Sequence, residues 1–165
     1  MTKQETVQHY ARHYKLFIET GTFGGDMVQA VLDDNHVMLL FTIEIDKRMY
    51  QEAELRFDEY GRVVCLHGDS ATVLPKLLVN LKFPALFWLD GHYSGPGTAR
   101  GEVDSPVKDE LLAIRDWAYG DQSMILCDDA GMFQGKDGYP TIEEIRGLFP
   151  DRQVQVADDI IRIFP

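Results

Sequence analysis

The sequence is short of positive charge. Sixteen lysines and arginines face 27 aspartates and glutamates, a formal net charge of -11 over 165 residues. A nucleic-acid backbone needs a basic face, so this balance argues against nucleic acid as the main partner. The charge suits solubility, or a cationic ligand. Cysteine is nearly absent, and the two present, Cys65 and Cys127, sit in apolar runs. They read as buried free thiols of a reducing compartment rather than as a disulfide. No apolar run approaches the roughly 18 residues of a membrane helix. The opening MTKQETVQHYARHYK lacks the apolar centre of a signal peptide. These absences set the expectation of a soluble cytoplasmic protein with no membrane partner. Two phosphate-binding signatures are also missing, G-x-G-x-x-G and the phosphate-loop Gly-Lys-Ser/Thr. A ligand without phosphates is therefore favoured.

What the chain does have is alternation. Apolar runs fall at 15–20 (KLFIET), 38–46 (MLLFTIEID), 63–69 (VVCLHGD), 85–91 (ALFWLDG) and 123–129 (SMILCDD). Nearly continuous runs of this length suit strands buried on both faces of a parallel sheet. Helical periodicity separates them, over 26–33, 47–57, 70–81, 104–117 and 141–149. Thr141 and Glu144 are spaced as a capping box, and the first dozen residues suit one more helix. The end breaks the rhythm: 153–158 (QVQVAD) and 160–165 (IIRIFP) are two strand-like runs with almost nothing between them, an antiparallel hairpin. The expectation is one α/β domain spanning 1–165. Its sheet is Rossmann-like, seven-stranded and mostly parallel, with a C-terminal antiparallel hairpin and helices on both faces.

Two places carry chemistry. The first is the turn FIETGTFGGD (17–26), between the first strand and its helix. Ligands of open α/β sheets bind beyond the carboxyl ends of strands, next to the topological switch. Gly21 allows a turn that a side chain would block, and Gly24 and Gly25 let backbone N–H groups approach a ligand. Glu19 precedes the glycines, where it would repel a pyrophosphate and attract an ammonium group. Glu44, near the end of the second run, suits the two hydroxyls of a ribose, with Asp46 on the same face as its competitor. A tight turn that binds nothing is the plain alternative. The second place is acidic. Asp90 follows the fourth run, and Asp128 and Asp129 follow the fifth. Neighbouring parallel strands would bring all three to one edge, where mutual repulsion and desolvation are costly unless a cation joins them. Oxygen donors of this kind suit Mg²⁺. Capping of loops and helix starts through backbone N–H groups is the alternative reading, and for Asp129 alone it is the stronger one.

The turn E-T-G-T-x-x-G, Glu44, the segment HGDS (67–70) and the strand order resemble the class I S-adenosylmethionine-dependent methyltransferases over about residues 15–165. The three acids resemble those of the metal-dependent small-molecule O-methyltransferases of macrolide-sugar and catechol type. The resemblance implies S-adenosylmethionine held by Glu19, Gly21, Thr22, Gly25, Glu44, Asp69, Ser70 and Asp90. It implies Mg²⁺ on Asp90, Asp128 and Asp129, and a hydroxylated small molecule or sugar as acceptor. Asp90 and His92 form the expected catalytic pair, with His92 as base or as a further ligand; Tyr93 stands where some relatives keep a lysine. The segment 93–106, with Arg100, reads either as a lid or as a surface excursion. Only about 14 residues precede the first strand. The acceptor site is then open, completed by a partner subunit in a homo-oligomer, or fitted to a large acceptor. Met132, Phe133 and Tyr139 are candidates to line it. A non-catalytic cofactor-binding module of the same fold is the competing function. A metal hydrolase or nuclease is weaker, since it leaves the glycine turn and Glu44 unexplained.

Overall fold

The computed structural model describes residues 1–33, 36–91 and 105–165. The five parallel strands are β1 (Leu16–Thr20), β2 (Leu39–Glu44), β3 (Val63–His67), β4 (Ala85–Leu89) and β5 (Met124–Cys127). β6 (Val154–Ala157) and β7 (Ile160–Ile163) form the expected antiparallel hairpin, with β7 inserted beside β5. The sheet order is β3-β2-β1-β4-β5-β7-β6. Strand order reverses between β1 and β4, which places the ligand-binding crevice beyond their carboxyl ends.

Strand periodicity sorts side chains onto two faces. Leu16, Ile18, Phe41, Ile43, Phe87, Leu89, Ile125 and Cys127 pack on one side, against Leu74, Leu111, Ile114 and Ile145. These helix residues come from α4 (Ser70–Leu78), α5 (Val107–Asp116) and α6 (Ile142–Leu148). Phe17, Leu40, Leu86, Trp88, Met124 and Leu126 pack on the other, against Val7, Val28, Val31, Ala53 and Phe57. That layer is α1 (Lys3–Ala11), α2 (Asp26–Leu32) and α3 (Lys47–Phe57). Continuous apolar runs are needed because helices cover both faces. No helix among the described residues is long and apolar enough to cross a membrane.

Helix starts follow side-chain capping. Thr2 with Glu5, and Thr141 with Glu144, close reciprocal capping boxes, while Asp46 and Asp69 accept from the first backbone N–H groups of α3 and α4. Some boundaries differ from expectation. α4 stops at Leu78 rather than Leu81, because Asn80 and Leu81 N–H turn back onto Leu77 and Leu78 carbonyls in tighter i→i−3 bonds. α5 starts at Val107, with Pro106 as its cap residue. β3 is half-exposed rather than buried on both faces, since it is the edge strand of the sheet.

The hairpin turn uses Asp158 and Asp159, both at positive φ (55° and 59°), as the tight two-residue connection demands. Asp159 then holds the loop after β5: its carbonyl accepts from Ala130 N–H (2.9 Å) and its Oδ1 from Gly131 N–H (3.1 Å). Arg152 ties the far end of the same strands. It donates to the carbonyls of Phe164 (2.6 Å), Gly120 (3.1 Å), Ile163 (3.0 Å) and Ser123. Arg152→Met should therefore leave several carbonyls without a charged donor and cost about 3 kcal/mol. Chemical denaturation of the two proteins checks this.

Candidate functional site

The parity that builds the core also places the acids. Phe17, Leu40, Trp88 and Leu126 face α1–α3, so residues two positions further along those strands, Glu19, Thr42, Asp90 and Asp128, emerge on the same side. The glycine turn leaves β1 at the middle of this row. Gly21 has φ +80°, and a β-carbon there would stand 2.3 Å from the Asp90 carbonyl oxygen. Only glycine fits so close a backbone crossing. Gly25, also at positive φ, caps α2, and its N–H closes the turn onto the Thr22 carbonyl (2.7 Å). The Phe57 ring lies 2.7 Å from its β-carbon position. Helix packing thus gives that glycine a structural reason of its own.

Glu44 binds the turn itself. Its Oε2 accepts from Phe23 N–H (2.9 Å) and its Oε1 from Asp46 N–H (2.8 Å). Asp46, the competitor for the ribose, is committed to capping α3 through Arg48 and Met49 N–H. Glu19 is 2% exposed. Thr42 Oγ1 donates to its Oε2 at 2.6 Å, and Thr22 Oγ1 lies 2.5 Å from Thr42 Oγ1. Burial pushes the Glu19 carboxyl well above its ordinary range, Thr42 acts against this, and the charges of Asp90 and Glu44 add to it. Glu19 is thus a buried support under the turn.

A second cluster lies on the opposite face. Thr20 Oγ1, Ser70 Oγ and Glu110 Oε1 all stand within 3.4 Å of where a Gly91 side chain would begin. Glu110 is 1% exposed, and neither of its oxygens completes a well-formed hydrogen bond, although the Ser70 and Thr20 hydroxyls lie beside it. Burial drives its pKa up to about 7, those hydroxyls oppose the shift, and the charges of Asp69 and Asp90 reinforce it. Sequence reading missed Glu110, which looks like an ordinary first-turn helix acid.

The acidic triad forms as expected. One oxygen each from Asp90, Asp128 and Asp129 lies within 4.8 Å of the others. Asp129 reaches this place at positive φ, 50°, and its N–H donates to Asp128 Oδ1 (2.8 Å). A protein cation joins them, which the sequence reading did not foresee. Lys3 Nζ lies 2.6 Å from Asp128 Oδ1 and 2.9 Å from Asp129 Oδ1. Desolvation lowers the Lys3 pKa, but hydrogen bonds and charge from the two aspartates outweigh it and raise it overall. Asp128 remains above the usual carboxylate range because of its burial, with Lys3 acting against that and Asp90 adding to it. The usable signal for Lys3 was a lysine in the first turn of a helix, where the dipole disfavours a cation.

Other expected site residues are placed as follows. Asp69 caps α4, with its Oδ1 accepting from Ala71 N–H (2.9 Å). Ser70 is buried beside Glu110. Phe133 and Tyr139 are core residues in edge-to-face contact, centroids 5.1 Å apart, and do not line an open site; Met132 is exposed. His92, Tyr93, Arg100 and the proposed lid through 104 lie outside the described residues.

The sequence matches no protein-family profile and no curated protein. Solved structures do match. An SAH-bound methyltransferase from Podospora anserina is 20% identical, with 98% of this chain aligned to 77% of that one and a TM-score of 0.70. The fold is that of the class I S-adenosylmethionine-dependent methyltransferases. An O-methyltransferase of tomaymycin synthesis from Streptomyces achromogenes, in complex with SAM, is 16% identical over 98% of this chain and 78% of that one (TM-score 0.65). An N-methyltransferase from Bradyrhizobium japonicum is 12% identical over 98% and 93% (TM-score 0.60). A spermidine synthase and a 23S rRNA methyltransferase also share the architecture, so the fold leaves the acceptor open.

Glu110 gives a stability signature. Its folded-state pKa of about 7 exceeds the ordinary 4.5, so the folded chain keeps a proton that the unfolded chain has lost. The Glu110 contribution to stability is then fully present below pH 4.5 and is lost as pH rises through about 7, by roughly 3 kcal/mol. Denaturant titrations at pH 5 and 8 should show the Glu110→Gln protein losing less stability than wild type by about that amount.

Proposed function

We propose that this chain is an S-adenosylmethionine-dependent methyltransferase that methylates a hydroxyl of a small molecule or sugar with help from Mg²⁺. The observation that carries the reading is the position of Asp90. Its backbone is packed against Gly21 of the glycine turn, and its carboxylate belongs to the triad with Asp128 and Asp129. One residue thus joins the glycine turn to the acidic triad.

The residues fit both groups. The turn lies at the switch between β1 and β4, and Glu44 ends β2 beside it with each oxygen holding one backbone N–H. Each oxygen keeps a second lone pair for a ribose hydroxyl. Asp69 and Ser70 end the neighbouring β3–α4 connection, on the adenine side in proteins this chain resembles. The triad offers oxygen donors alone, and Asp128 and Asp129 already gather a cationic ammonium. That donor set suits a hard divalent ion.

When bound, S-adenosylmethionine supplies a methyl group on a positively charged sulfur, and Mg²⁺ supplies charge that favours the ionised form of an acceptor hydroxyl. The chain's own task is alignment. Gly21 and Glu44 fix the turn, buried Glu19 and Thr42 stiffen it from beneath, and Asp90 would help hold the cation beside it. His92, two residues past Asp90, is the proposed proton acceptor. Lys3 in the triad favours one second reading, a cofactor-binding module without transfer. Binding without methylation of any hydroxylated acceptor in a panel would support it.

Calorimetric titration with S-adenosylmethionine and its demethylated product should show binding of both; no affinity for either rejects the reading. Asp128→Asn should lower Mg²⁺-stimulated methyl transfer by roughly two orders of magnitude, the upper end for disturbed metal sites. Full wild-type turnover in chelator would reject the cation's part while leaving the cofactor's intact.

A further inference from the structure

Lys3 sits against the electrostatics of its own helix. It is the first residue of α1, and Glu5 is the acid of that turn; a cation there opposes the helix dipole. α1 is held by its later part. Thr6, Val7 and Ala11 are fully buried, and Gln8 Nε2 donates to the Ala30 carbonyl at 2.8 Å. This docking carries the first turn across the carboxyl ends of β4 and β5. There Lys3 Nζ reaches Asp128 Oδ1 at 2.6 Å and Asp129 Oδ1 at 2.9 Å. Asp128 Oδ1 also accepts the Asp129 N–H at 2.8 Å.

These two carboxylates belong to the triad that would hold a divalent ion. An ammonium at such distances and a metal ion cannot share them: the two positive charges would stand within a few ångströms in a half-buried site. The Lys3 side chain is 39% exposed, so it can leave for water without unpacking the helix. We infer that α1 carries a built-in competitor for the cation. Lys3 neutralises the acids while the site is without metal, and the incoming ion displaces it. The inference rests on the cation part of the proposed function and adds to it a device that sets the metal threshold. If the lysine-engaged form dominates by about ten to one, apparent metal affinity falls about tenfold.

Mn²⁺ is the probe, with free ion read by electron paramagnetic resonance on the full chain. Lys3→Gln should bind Mn²⁺ about tenfold or more tighter than wild type. Lys3→Arg, which keeps the charge, should stay much nearer wild type than Lys3→Gln, and Asp128→Asn should remove binding in either background. The Lys3 side chain supplies a readout independent of any variant: on titration of the wild-type protein with diamagnetic Mg²⁺, the Lys3 Cε resonance should move to that of a solvated lysine. Equal or weaker binding by Lys3→Gln, or Mg²⁺ binding that leaves the Lys3 side-chain resonance unchanged, overturns the competition and spares the cation site. Failure of both wild type and Lys3→Gln to bind Mn²⁺ overturns the competition together with the cation site. Cofactor titration of the same samples shows separately whether the methyltransferase reading stands.

Discussion

Parallel strands end together. Because β1, β2, β4 and β5 all finish at one edge of the sheet, acids placed just beyond them are pushed into a shared space. Parity then turns Glu19, Glu44, Asp90 and Asp128 toward one helix layer. The crowding of like charge follows from the topology, and the surrounding structure has to absorb it. Half-buried carboxylates at such spacing repel one another and resist desolvation. Glu19, Glu44 and the Asp128–Asp129 pair answer that problem in three different ways.

The answers grade from buried support to exposed chemistry. Glu19 is enclosed and receives a hydroxyl from Thr42. Glu44 is neutralised in part by two backbone N–H groups of the elements it joins. Asp128 and Asp129 take the ammonium of Lys3. Interactions with a full cation are the strongest of the three and also the easiest to exchange, since one cation can replace another without moving the backbone. That difference separates the triad from the buried Glu19.

The glycine turn and the triad are mechanically one unit. Gly21 packs on the Asp90 backbone, Asp90 N–H donates to the Thr20 carbonyl (3.0 Å), and Asp128 N–H donates to the Leu89 carbonyl (3.0 Å). The hairpin tip adds Asp159 beneath the Asp129 loop. The antiparallel hairpin, far away in sequence from the first strand, thereby fixes one wall of the site. On the other side of the sheet, Glu110 lies under Gly91 with Thr20 and Ser70. Opposite layers thus meet at the backbone after β4, where a side chain at Gly91 would begin 3.3–3.4 Å from those groups.

Much of this was legible from residue order alone. Continuous apolar runs, helical periodicity and the closing QVQVADDIIRIFP specify a parallel sheet with a reversed hairpin, because backbone hydrogen bonding and two-sided burial leave few other solutions. Adjacent strands then bring Asp90 to Asp128 and Asp129. Residue order did not disclose which side chains from distant helices meet that edge. Lys3 and Glu110 look like ordinary helix-start residues, and their roles arise from the docking of α1 and α5 on opposite faces. Phe133 and Tyr139 likewise became core, since the loop after β5 folds inward against the hairpin. Periodicity is a local property of the chain and can be read locally. Charge pairing across layers depends on how helices pack, and only the assembled fold decides it.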